Sequence, residues 1–122
     1  MIHHVAIDVP AGELEAAVAF WGLLGYDEVP VPPTLSGDWR WVERAGTQIH
    51  LRPREPWDAV AVGWHVAVVV DRYDETARAL EDAGFAIEPG TEHWGEPRGK
   101  TTAPGGATVE LMAAPPAPRQ PR

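Results

Sequence analysis

Three histidines and one glutamate stand out for the company they keep. His4, His50, His65 and Glu110 each sit inside a short apolar run: HHVAIDV from residue 3, TQIHL from 47, WHVAVVV from 64 and ATVEL from 107. Successive side chains of an extended strand point to opposite faces. Val5, Ile49, Leu51, Val66, Val109 and Leu111 are therefore expected on one face and the four polar residues on the other. Three neutral imidazoles and a carboxylate suit a divalent transition ion (Zn, Ni, Co, Fe or Mn), with water or substrate in the remaining positions. Such an ion would also satisfy four polar groups that are costly to desolvate without partners. Cysteine is absent, which excludes thiolate ligands, disulfides and cysteine nucleophiles.

The elements that must hold these residues are written twice. After the first strand, Leu14, Ala17, Val18, Trp21 and Leu24 form an amphipathic stripe, and Gly25 stands where a left-handed cap would end the helix. Strands are expected at 26–31, 38–44 and 47–52, which makes a βαβββ unit. The order returns with a strand at 64–70, a helix in DRYDETARALEDAG capped by Asp71 and stopped by Gly84, and strands at 85–88, 98–103 and 107–112. His4 and His65, Gly25 and Gly84, Pro30 and Pro89, and His50 and Glu110 are separated by 61, 59, 59 and 60 residues. An internal duplication follows. The expected fold is α+β, two βαβββ modules forming a curved mixed sheet around a cleft with helices outside. Residues 1–114 would be one domain, with modules at 1–53 and 63–114, a linker at 54–62 and a disordered Pro-rich tail at 115–122.

The 122 residues carry 18 acidic and 10 basic side chains, a formal charge of -8 with no basic cluster, which disfavours nucleic acid as a partner. No apolar stretch is long enough to cross a bilayer, and the N-terminus enters a strand without a signal-like segment, so a cytoplasmic, membrane-free protein is expected.

Together these segments resemble the vicinal oxygen chelate superfamily, which includes glyoxalase I, methylmalonyl-CoA epimerase, extradiol dioxygenases and the fosfomycin- and bleomycin-resistance proteins. The resemblance covers residues 2–114 and rests on HHVAIDV, AVAFWGLLGYDEV, TQIHL, WHVAVVVD, LEDAGF and APGGATVEL. It implies that ligands come from the first and last strands of each module, the places of His4, His50, His65 and Glu110. Two departures stand out. His50 replaces the glutamate or glutamine of relatives, and the usual DPxGN turn appears as APGGA at 103–107.

The resemblance implies a metal-dependent lyase or isomerase that binds vicinal oxygens of a small metabolite and stabilises an enediolate-like intermediate. Glu110 would be both ligand and general base, with His50 or His93 as alternative bases. Substrate contacts are expected from Trp39 and Trp41, which share a face opposite Arg40, and from His93, Arg98 and Lys100; Trp57 and Trp94 are further aromatic candidates. Trp21 and Trp64 are expected in the core, and His3 is given no role. Two other functions compete: a metal-free binder of an aromatic ligand, of the bleomycin-resistance kind, and an extradiol dioxygenase using His4, His65 and Glu110 as a facial triad for Fe(II). By analogy the protein is expected to be a homodimer, the four ligands coming from one chain or from two.

Overall fold

All four polar-bearing runs are strands in the computed structural model, which describes residues 1–58 and 63–116. Residues 59–62 of the expected linker and 117–122 of the expected tail lie outside the described residues. Two units are distinguished: residues 1–62 with 103–107, and residues 63–102 with 108–122.

The first unit contains β1 (His4–Pro10), a 3-10 turn (Ala11–Glu13), α1 (Leu14–Leu23), β2 (Asp27–Val29), β3 (Arg40–Arg44) and β4 (Thr47–Arg54). Its sheet runs β1-β4-β3-β2, with β1 parallel to β4 and the other pairs antiparallel. The second unit contains β5 (His65–Val69), α2 (Tyr73–Asp82), β6 (Glu88–Pro89), β7 (Arg98–Thr102) and β8 (Thr108–Met112). Its sheet runs β5-β8-β7-β6, again with only the first pair parallel. The duplication reaches the register itself. Ala6 faces His50 across β1 and β4, and Ala67 faces Glu110 across β5 and β8, so each first-strand histidine lies two positions before the rung of its last-strand counterpart.

Alternation places the apolar residues as expected. Ile7, Val9, Val42, Ile49 and Leu51 are buried with Leu14, Ala17, Phe20, Trp21 and Leu24 of the helical segment. Phe20 is fully buried while Val18 is only half-buried, so the stripe runs through 17, 20, 21 and 24. Trp21 is held edge-on by Phe20 and by Tyr26, with ring centroids 5.5 and 5.2 Å away. On this same side Arg40 donates to both oxygens of Glu28 and to Glu15 of α1, at 2.6 to 2.8 Å, which ties the helix to the strands. In the second unit Val68, Val70, Leu80, Val109 and Leu111 are buried.

Both helices end in the same way. Tyr26 donates its backbone N–H to Trp21 and Gly25 to Gly22, while Phe85 donates to Leu80 and Gly84 to Glu81. This is the Schellman pattern, with Gly25 and Gly84 left-handed at φ +88° and +94°. These bonds explain why the following strands start late. Tyr26 and Phe85 spend their N–H groups on the helix ends and so join no strand; β2 begins at Asp27 and β6 at Glu88. Strand β3 begins at Arg40, after the left-handed Gly37. The residue before α2 is Arg72 with no capping side-chain bond, so Asp71 stands one position too early to serve as its cap. Trp64 also departs from expectation: it precedes the first rung of β5, escapes the alternation and is 41% exposed.

Gly25→Ala is expected to cost about 1–2 kcal/mol, because a Cβ disfavours the left-handed backbone. Gly22→Ala, inside α1 with open space around it, should instead add about 0.5–1 kcal/mol. Urea unfolding of the two variants checks the opposite signs.

Candidate functional site

In the first unit the cross-strand register puts Trp41 directly opposite His50. Their rings stack at a centroid distance of 3.7 Å and an interplanar angle of 2°. The other face of His50 stacks on His4, at 4.0 Å and 13°. His50 is therefore the middle layer of an aromatic sandwich and is only 6% exposed. Its Nε2 lies 2.7 Å from Gln48 Oε1, and Gln48 Nε2 donates to Glu43 Oε1 at 3.0 Å. His3 joins through a 3.0 Å contact between its Nδ1 and that of His4. Trp41 keeps a buried indole N–H with no partner among the described residues. Burial, then the nearby His4 and His3, hold the His50 imidazole below its ordinary value of 6.5.

The second unit assembles a different set on the equivalent face. Glu110 is 6% exposed. Its Oε2 lies 3.3 Å from His65 Nε2, and its Oε1 accepts from Arg98 Nη1 at 2.5 Å. Arg98 also donates through Nε to the Thr91 carbonyl at 2.6 Å and contacts His93 Nε2 through Nη2 at 3.2 Å. One guanidinium thus links the carboxylate to the segment that precedes β7. Lys100 stands opposite Glu110 in the register and is exposed. A pocket of about 610 Å³ in this unit is lined by Trp64, His65, Ile87, Glu88, Lys100 and Thr102, among others.

The candidates from the sequence therefore fall into two groups: His4, His50 and Trp41 in the first unit, and His65, Glu110, Arg98, His93 and Lys100 in the second. Trp39 lies just before β3, half-buried beside Gly37, and outside the stacked array. Gln48, Glu43 and His3 were missed. Gln48 shares the parity of His50 in TQIHL, and that was the available signal.

Donor chemistry and spacing bear on metal binding. Nitrogen and oxygen ligands sit about 2.0–2.2 Å from such ions, so two of them on one ion lie roughly 3.0–3.5 Å apart. The 3.3 Å between His65 and Glu110 fits that range. His4 and His50, in the first unit, are stacked face to face. Among the described residues no three His, Asp or Glu side chains are gathered closely enough to hold an ion by themselves.

No family model matches the sequence, and no curated protein does. Solved structures do match. A protein from Bacillus anthracis assigned to the glyoxalase family is 27% identical, with a TM-score of 0.81 over 92% of this chain and 93% of that one. Its fold is that of the vicinal oxygen chelate superfamily, and this chain shares it. TnmS3, an antibiotic binding protein from Streptomyces sp. CB03234, gives a TM-score of 0.72 at 20% identity, covering 92% and 93% of the two chains. A bleomycin resistance determinant encoded on transposon Tn5 gives 0.64 at 18%, covering 88% and 94%. Within the vicinal oxygen chelate fold the described helices include none long and apolar enough to cross a membrane.

The lowered His50 value has a sign for stability. The unfolded chain takes up the proton at about 6.5 while the folded chain resists it, so stability is full above that pH and falls as the pH drops below it. Metal-free protein is expected to lose stability between pH 7.5 and 5.5, and His50→Gln to flatten that slope; urea midpoints at the two pH values provide the check.

Proposed function

We propose that this chain is a metal-dependent enzyme of the glyoxalase type, a lyase or isomerase that acts on a small metabolite bearing two neighbouring oxygens. The observation that carries the reading is the pairing of the exposed His65 with the buried Glu110, whose facing atoms are spaced as two ligands of one divalent ion would be. His4 and His50 are proposed as metal ligands as well. When bound, the ion supplies Lewis acidity that eases removal of a proton beside a carbonyl.

The residues of the chain divide the remaining work. Glu110 is the proposed base, its Oε1 anchored by Arg98 and its Oε2 directed toward His65. Arg98, braced by Thr91 and His93, orients that carboxylate. Lys100, exposed opposite Glu110, is the cation available to an anionic substrate group. Trp41, stacked on His50, is a proposed substrate contact. His50 is an alternative base. We place the protein in the cytoplasm as a homodimer.

A second reading has an observation of its own. The flat array of Trp41, His50 and His4 is suited to stacking on a planar ligand, as a metal-free sequestering protein would. Tryptophan quenching by a planar antibiotic in stripped protein, unchanged when metal is restored, would favour it.

Protein purified without added ions is expected to carry about one divalent ion per chain by elemental analysis. His65→Ala and Glu110→Gln should each lower the content at least tenfold while circular dichroism stays native. Unchanged metal content would discard the enzyme reading. Mixing the double variant His4→Ala/His50→Ala with His65→Ala/Glu110→Gln then locates the ligands: recovery of metal binding assigns each site to two chains, and no recovery to one.

A further inference from the structure

Glu43, Gln48 and His50 form one hydrogen-bonded chain across β3 and β4. Gln48 Nε2 donates to Glu43 Oε1 at 3.0 Å, and Gln48 Oε1 lies 2.7 Å from His50 Nε2. A primary amide donates from one end and accepts at the other, and a carboxylate only accepts. The end of Gln48 that faces Glu43 must therefore be its NH2 group. Turning the amide over would set its carbonyl against the carboxylate. The end that faces His50 is consequently the carbonyl, and a carbonyl needs a donor, so His50 Nε2 carries the hydrogen. In a neutral imidazole the other nitrogen then holds the lone pair.

The ring has little freedom to escape this arrangement. Trp41 covers one face at 3.7 Å and His4 the other at 4.0 Å, and the residue is 6% exposed. Glu43 faces Gln48 directly in the β3–β4 register, so the anchor of the chain is fixed by backbone pairing. The second module has no counterpart: the rung of Gln48 is occupied there by Thr108, and Glu110 is held instead by Arg98.

We propose that Gln48 and Glu43 are positioning residues that lock His50 as its Nε2–H tautomer, so that Nδ1 is the nitrogen His50 presents to a bound ion or to a substrate proton. This rests on the reading of His50 as a site residue, and it specifies which atom acts.

The test is a long-range proton–nitrogen correlation spectrum of metal-free protein labelled with 15N-histidine, at pH 8, with the His50 signals assigned by their loss in His50→Gln. Wild-type protein should show His50 with Nε2 protonated and Nδ1 bare, in about tenfold excess over the other form, the weight of one good hydrogen bond. Gln48→Leu should abolish that excess, Gln48→Glu should keep it because a carboxylate still accepts, and Glu43→Gln should weaken it by freeing the Gln48 amide to turn. A wild-type ring found mainly as Nδ1–H, or Gln48→Leu without effect, overturns the proposal. Titration of the same sample with zinc separates it from the reading on which it rests. Perturbation of Nδ1 supports both, and direct ligation through Nε2 overturns the tautomer lock while leaving the metal site standing. With the lock seen in the metal-free spectra, zinc that moves no histidine signal defeats the metal site alone.

Discussion

Parallel pairing of the first and last strands within each module decides which side chains can meet. The pleat sends Ile7, Val9, Ile49 and Leu51 to the side packed by the helix, and His4, His50 and Gln48 to the other. Shifting either strand by one residue would exchange the two sets. Apolar burial therefore fixes the register, and the register fixes the polar cluster. Because both modules use the same register, whatever occupies the rung of His50 in one is matched by the occupant of the rung of Glu110 in the other.

The two modules satisfy that shared geometry with different physics. A buried carboxylate is costly unless it is paired, and Glu110 is paired with Arg98 and lies 3.3 Å from the His65 ring. A buried imidazole can remain neutral, and burial between two aromatic faces favours the neutral form of His50, with an amide carbonyl at its edge. The first module thus presents an aromatic stack on this face, and the second a carboxylate held by a guanidinium.

Much of this was legible in the residues. Four matched offsets disclosed the duplication, and alternation in HHVAIDV and ATVEL assigned faces that the register bears out. Gly25 and Gly84 announced the helix ends because only a left-handed cap explains glycine at both equivalent places. What escaped was fixed by side-chain reach and not by periodicity. The link from Arg98 to Glu110 spans two strands and depends on a rotamer, as does the Glu43, Gln48 and His50 chain. Trp64 was misjudged because parity holds only within a paired strand, and it stands one residue outside. Phe20 was overlooked because a helix stripe drawn through Val18 fits the periodicity almost equally well.

The central proposal is that this chain holds a divalent ion through His65 and Glu110 together with further imidazoles. X-ray absorption at the cobalt edge, on protein stripped and reloaded with one equivalent of Co(II), reads that shell directly. The proposal predicts the multiple-scattering signature of imidazole together with a carboxylate oxygen at about 2.0–2.2 Å. A spectrum of water oxygens with no imidazole would contradict it.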